Sequence, residues 1–230
     1  IYGDDGIDVT KLHKEGKTTA EMQQIATYPQ FDFNFLWNID ENNSYPFFRD
    51  LSVYAQPETS ELSSLAGTGT HEDPYIITDA DELNAMRNNI SAYYRLGNNI
   101  DLSSTVIWNY GRGWEPVGNE TEGENFTGTL DGYGFTLSGI SINCPLSDGM
   151  GLFGYMNGAE IKNISFQNIN ISANDYAGTI SGKSENSFFS FLDVESDIVI
   201  RDDYAGGISG LSNADLIHFI STDIIIFGDS

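Results

Sequence analysis

The chain has 230 residues, of which 34 are acidic and 10 basic, for a formal net charge of -24. A field of that sign repels nucleic acid and anionic membrane surfaces, so neither is an expected partner. Hydrophobic residues make up 40% of the chain and aromatics 13%, enough for a packed core and too much for a disordered tail. The single cysteine, Cys144, excludes an internal disulfide framework and any multi-cysteine zinc site. No run reaches the ~18 apolar residues of a membrane span, and Ile1 opens no signal-like segment; any signal or anchor is expected outside this sequence.

Thr18 and Glu21 form a capping-box pattern, and Met22, Ile25 and Ala26 follow at helical spacing, which predicts a short helix over Thr18 to Tyr28. Phe31, Phe33 and Phe35 then alternate with Asp32 and Asn34 before Trp37 and Ile39, the pattern of a strand with one aromatic face. Residues 56–70 (QPETSELSSLAGTGT) are rich in small and polar residues and read as a linker. A second helix is expected from Asp79 to Asn89, capped by Asp79 or Asp81 and packing through Leu83, Met86 and Arg87. Beyond it the chain is a series of short strand-like runs separated by turns.

The decisive feature is an internal repeat. DYAGTISG at Asp175–Gly182 recurs as DYAGGISG at Asp203–Gly210, a step of 28 residues, and MGLFG ends 28 residues earlier at Gly154. The same step relates Ile161, Phe189 and Ile217; Ile164, Leu192 and Ile220; and Ile171, Val199 and Phe227. A period of this size, carried by β-branched residues and glycine turns with no helical face, predicts stacked β coils whose inward side chains form one continuous core. The expected fold is therefore mainly β, a right-handed parallel β-helix (solenoid) with short capping helices. Ala177, Gly178, Ala205, Gly206 and Gly207 suit tight corners where coils approach closely.

The segments GTGTHEDPYIITDADELNAMRNN, YYRLGNNIDLSS, WEPVG, FTGTLDGYGFTLSGISI and MGLFGYM, in this order, resemble the start of the β-helical modules that carry the GLUG motif. Such modules occur in large surface proteins of bacteria and methanogenic archaea and near immunoglobulin A peptidases. KTTAEMQQIATYPQFDFNFLWNIDENNSYPFFR resembles the segment that closes such a module. The resemblance implies that residues 1–55 close a preceding module, that 56–70 link, and that 71–230 begin the next. It also implies a cell-surface or extracellular location, with adjacent β-helix modules of the same polypeptide as partners. Ser181 and Ser209 stand where the family more often has an aliphatic residue, and we read them as outward-facing or locally wet positions.

Three kinds of candidate site follow. Asp175, Asp202 and Asp203 cluster at a turn, where oxygen ligands would suit calcium, although carboxylates at turns more often cap backbone N–H groups. Tyr93, Tyr94, Trp108, Tyr110 and Trp114 cluster in the first coils and could stack on a surface glycan or anchor a protein ligand. The competing role for Trp108 and Trp114 is to plug the end of the solenoid. Arg201 beside Asp202 and Asp203, or Lys183 near Glu185, could in principle serve a carbohydrate-active β-helix enzyme, a polysaccharide lyase or hydrolase. No acid, base and orienting partner assemble from the sequence, however, so no catalytic residue and no cofactor is assigned and the chain is read as a non-enzyme. Glu195 is expected to stack beside Gln167 and Asp223. His13, His71 and His218 form no metalloprotease signature, with His218 read as an outward strand residue. GYGF at Gly132–Phe135 reads as a hairpin-like turn and Cys144 as a packing residue. Six sequons, at Asn42, Asn89, Asn119, Asn125, Asn163 and Asn170, are compatible with a surface role.

Overall fold

A computed structural model describes residues 18–24, 26, 28, 37–38, 42, 46–48, 61–121, 123–200 and 204–228. The chain divides into two compact units, residues 1–53 and 54–230. In the first, α1 (Thr19–Met22) starts at the capping box: Glu21 N donates to Thr18 Oγ1 at 3.2 Å, and Thr18 N donates to the Glu21 carboxylate at 2.7 Å. The helix is only four residues long, shorter than predicted, because the backbone leaves helical geometry at Gln23. Ile25, Phe31, Phe33, Phe35 and Ile39 lie outside the described residues. β1 (Trp37–Asn38) pairs antiparallel with β2 (Phe47–Phe48), Trp37 opposite Phe48.

The second unit is a parallel β-solenoid of about three regular turns. Its rungs begin with β3 (Tyr75–Ile77), β4 (Tyr93–Leu96), β5 (Ile100–Asp101), β6 (Thr129–Asp131), β7 (Thr136–Ser138) and β8 (Ser141–Cys144). They continue with β9 (Phe153–Asn157), β10 (Glu160–Ala173), β11 (Ala177–Gly178), β12 (Ser181–Glu185) and β13 (Phe188–Ile200), and end with β14 (Ala205–Gly206), β15 (Ser209–Asn213) and β16 (Leu216–Gly228). One side of β10 pairs in turn with β6, β7 and β8, and the other side pairs with β13 along nearly its whole length. A long strand is thus three short ones run together around corners. The corners need left-handed backbone, which Asn163 (φ 54) and Asn168 (φ 53) supply.

Before the coils, residues 61–70 pack as part of the second unit: Leu65 is buried, and Ala66 bridges Ile76. α2 (Ala80–Asn84) is capped by Asp79, one of the two expected N-caps, with Asp79 Oδ1 accepting from Glu82 N at 2.8 Å, and continues as a 3-10 turn to Asn88. Leu83 and Met86 are fully buried, as their spacing predicts.

The apolar ladders run along the axis. Tyr75, Tyr94, Leu130, Ile161, Phe189 and Ile217 are successive partners on one sheet, and Ile164, Leu192 and Ile220 on the next. The third predicted set is corrected: Ile171 pairs with Ile198 and Ile226, whereas Val199 pairs with Ser172 and Phe227. A β-bulge causes the slip, because Gln167 and Asn168 together face Glu195 between the pairs Phe166/Val194 and Ile169/Ser196. The β10–β13 step is therefore 27 residues after the bulge and 28 before it.

GYGF is also corrected. Tyr133 N donates to Asp131 Oδ1 at 2.9 Å and Phe135 N to Gly132 O at 2.8 Å, making a tight turn. Because β6 and β7 both pair parallel with β10, the turn bends a rung and makes no hairpin. The small-residue corners hold as expected: a Cβ on Gly178 would lie 2.5 Å from Ser181 O and 2.7 Å from Gly210 N, so the coils touch there through backbone.

On the sheet β9–β12–β15 the inward column changes character, from Val117 and Phe153 to Ser181 and Ser209, and from Phe126 and Met156 to Ser184 and Ser212. Ser181 is fully buried and therefore not outward-facing, and its Oγ has no hydrogen-bond partner. Small side chains are needed here because a Cβ on Gly151 would already meet Ser181 Cα at 2.9 Å. The last coil is open: Ile217 is 46% exposed in a column whose four preceding members are at most 1% exposed.

Two stability predictions follow. Phe189→Ala should cost about 3–5 kcal/mol in urea denaturation and Ile217→Ala less than half as much; equal losses would contradict the ladder. Ser181→Ala should raise stability by about 1 kcal/mol by removing an unsatisfied buried hydroxyl, and a decrease would show that the hydroxyl has a partner.

Candidate functional site

The five aromatic residues singled out in the sequence do not share a surface. Tyr94 is buried and its hydroxyl donates to Asn89 O at 2.7 Å. Trp114 is buried with Nε1 donating to Leu152 O at 3.0 Å, and Trp108 stacks on it with ring centres 6.2 Å apart. Gly113 bridges Ile142 of β8, and Val117 and Phe126 bridge Phe153 and Met156 of β9, on the edges of those strands away from β10 and β12. The indoles therefore sit in the segment that covers the start of the regular coils, which is the plug arrangement. Tyr93 is half-buried with His71 edge-on at 5.4 Å, and Tyr110 is exposed. Burial removes Tyr94, Trp108 and Trp114 from any ligand-contacting surface.

At the acidic corner, Asp175 Oδ1 accepts from Tyr176 N at 2.8 Å and from Tyr204 N at 3.0 Å, one bond within its coil and one to the next. This is the backbone-capping role of a turn carboxylate. Arg201, Asp202 and Asp203 lie outside the described residues. Among the described residues, no three His, Cys, Asp or Glu side chains are grouped closely enough to hold a metal ion. Glu195 does face Asp223, one strand spacing away, while its expected neighbour Gln167 shares the bulge with Asn168.

Lys183 and Glu185 make contacts with different partners. Lys183 Nζ pairs with Glu120 Oε1 at 2.6 Å and lies 3.9 Å from the centre of the Tyr176 ring, which itself stacks on Tyr204 at 5.0 Å. Glu185 accepts from the Tyr155 hydroxyl at 2.9 Å and from Asn213 Nδ2 at 3.1 Å. Burial and the adjacent Glu185 push the Tyr155 phenol up. Between the loop 115–124 and the turn 148–150 lies a cavity of about 800 Å³ lined in part by Arg87, Glu115, Glu120, Glu124, Asp148 and Lys183. Its two cations are both paired, Arg87 with Glu115 at 3.7 Å, and burial lowers the guanidinium's pKa while Glu115 opposes that. Cys144 packs against the core, and burial pushes its thiol up, away from the reactive thiolate.

Sequence reading missed the Tyr176–Tyr204 stack, although the repeated DYAG motif carried it at the 28-residue step. Glu120 gave no signal, since it meets Lys183 across 63 residues of chain.

Burial, with Tyr75 beside it, raises the Tyr94 phenol above its ordinary pKa of 10.0. The folded state thus favours the neutral phenol, and this stabilisation is complete below pH 10.0 and is lost as pH rises further. Urea denaturation at increasing pH should show a fall in stability above about pH 10 that Tyr94→Phe reduces. An identical alkaline fall in Tyr94→Phe would contradict the assignment.

No protein-family model matches the chain, and no solved structure matches it. Among the described residues, no helix is long and apolar enough to cross a membrane. The chain is similar to halomucin of Haloquadratum walsbyi, 36% identical over 143 residues covering 59% of this chain and 2% of that protein. It is also similar, at 29% identity over 142 residues, to a protein of Evansella cellulosilytica named as a Gly-rich membrane protein, covering 60% of this chain and 16% of that one. The chain thus spans only a small part of the curated relatives it matches.

Proposed function

We propose that this chain is a segment of a non-catalytic β-solenoid at the cell surface or outside the cell, of the GLUG-motif type, serving as a structural and adhesive scaffold. The observation that carries this reading is the six-rung ladder from Tyr75 to Ile217, a single core extended along one axis. Such a core resists bending because every coil is hydrogen-bonded to its neighbours, and it carries loops and corners outward at regular spacing. The halomucin and membrane-protein names of two relatives support a surface setting, and their far greater length supports a segment within a larger polypeptide. Adjacent modules of the same polypeptide are its nearest partners in this reading, and a glycan or protein ligand would be held by its exposed side chains.

Single-molecule pulling should unravel the regular coils in steps, each releasing about 100 Å of chain for 28 residues. Antibodies against residues 61–228 should label intact cells of the source organism and lose that label after protease shaving. Release of reducing or unsaturated sugar ends from polysaccharide, abolished by Asp202→Asn or Asp203→Asn, would replace this reading with that of a carbohydrate-active enzyme.

A further inference from the structure

Ten non-glycine residues among those described have left-handed backbone; five are asparagine, one is alanine, and four are aromatic: Tyr110, Tyr133, Tyr176 and Phe191. Asparagine tolerates this region because its short amide can bond nearby backbone. A bulky ring has no such local bond and is held there by contacts of the ring, as Tyr176 is by its stack on Tyr204. Tyr133 (φ 53) and Phe191 (φ 53) are also the two most exposed aromatic rings among the described residues, at 65% and 58%. More than half of each of these two side chains therefore faces outward.

The register brings the two rings to one corner of the solenoid. Lys162 pairs with Asp131 on one side and Ser190 on the other, so the turn after Asp131, then Asn163, then Phe191 mark the same corner in successive rungs. The corners carrying Tyr133 and Phe191 are two strand spacings apart, about 9.6 Å. That is slightly more than the ~8 Å spanned by two ring-stacking contacts of ~4 Å. Between them is a groove of about 460 Å³ lined by Tyr133, Gly134, Asn163, Ile164, Ser165 and Phe191. Asn163 Nδ2 donates to Asp131 Oδ1 at 3.0 Å, which fixes the amide, and the Arg95 guanidinium lies 4.8 Å from the centre of the Tyr133 ring.

We propose that this groove binds a neutral sugar ring, with Tyr133 and Phe191 stacking on its C–H faces and Asn163 and Ser165 hydrogen-bonding its hydroxyls. Aromatic walls and a polar floor match the amphipathic character of a pyranose. The chain's net charge of -24 and the carboxylate of Asp131 beside the groove select against acidic sugars. The site gives the adhesive part of the scaffold reading a ligand class and a location. It is tested separately from that reading, since neither pulling steps nor surface labelling depend on sugar binding.

The test is titration of the full 230-residue chain with neutral glucose, mannose and galactose tetrasaccharides, with tetragalacturonate as the acidic control, followed by calorimetry and saturation-transfer NMR. Saturable binding of at least one neutral tetrasaccharide is expected, weakened at least ~10-fold by Tyr133→Ala and by Phe191→Ala, as loss of a stacking contact predicts, and unchanged by Tyr204→Ala. Phe191→Gly keeps the left-handed corner and removes the ring. It should abolish binding while melting at or above the wild-type temperature. The proposal is overturned by no saturable neutral binding, by preference for tetragalacturonate, or by undiminished binding in Phe191→Gly. A marked drop in that variant's melting temperature would assign the ring to packing and overturn it equally.

Discussion

Every other feature of the second unit depends on the parallel pairing of one coil with the next. Pairing satisfies the backbone groups of β10 and β13 on both sides, and it stacks inward side chains of equivalent position at a spacing where apolar surfaces exclude water. Because the contact is between neighbours only, the chain tolerates large differences among early coils while the last three keep a nearly constant step. The insert between β5 and β6 covers the edges of β8 and β9 with Trp108, Trp114, Val117 and Phe126, closing the core where regular stacking begins. On β16, Ile217 and Ile226 are exposed.

The interior is not uniformly apolar. One sheet exchanges Phe153 and Met156 for Ser181 and Ser184 in the following coil, and the core narrows around backbone-to-backbone contacts at Gly151, Gly178 and Gly182. Some of the buried hydroxyls are paired: Thr179 Oγ1 donates to Ser196 Oγ at 2.7 Å, and Ser187 Oγ donates to Glu185 O at 3.0 Å. Close approach excludes large side chains, and polar pairing then satisfies most of the groups that fit. This joins the AGTISG and AGGISG repeats to a physical cause.

The acidic surface and the ladder are separable. Carboxylates at Asp193, Glu195 and Asp197 alternate with buried Leu192, Val194 and Ser196, so the strand period sends charge outward while the core stays closed. A scaffold can therefore carry a strongly negative surface without burying charge. The same alternation makes the corners, where the period breaks, the places from which large side chains project.

The sequence by itself determined the solenoid, the 28-residue step, two of the three apolar ladders and the cap of α2, because each is written in periodic or local patterns that need no distant contact. It also marked the close-approach corners through Gly178 and Gly206. It did not determine the third ladder, since the bulge at Gln167 and Asn168 removes one residue from the step and only the strand pairing shows where. It offered Tyr94 a surface role and Trp108 and Trp114 either a surface or a plug role, and tertiary packing buried all three. The Tyr133–Phe191 groove was equally hidden, because the two rings lie 58 positions apart and meet only through the register of successive coils. Periodicity records which residues face inward, whereas neighbours at a corner are decided by how far each coil's loops extend before the chain returns to the stack.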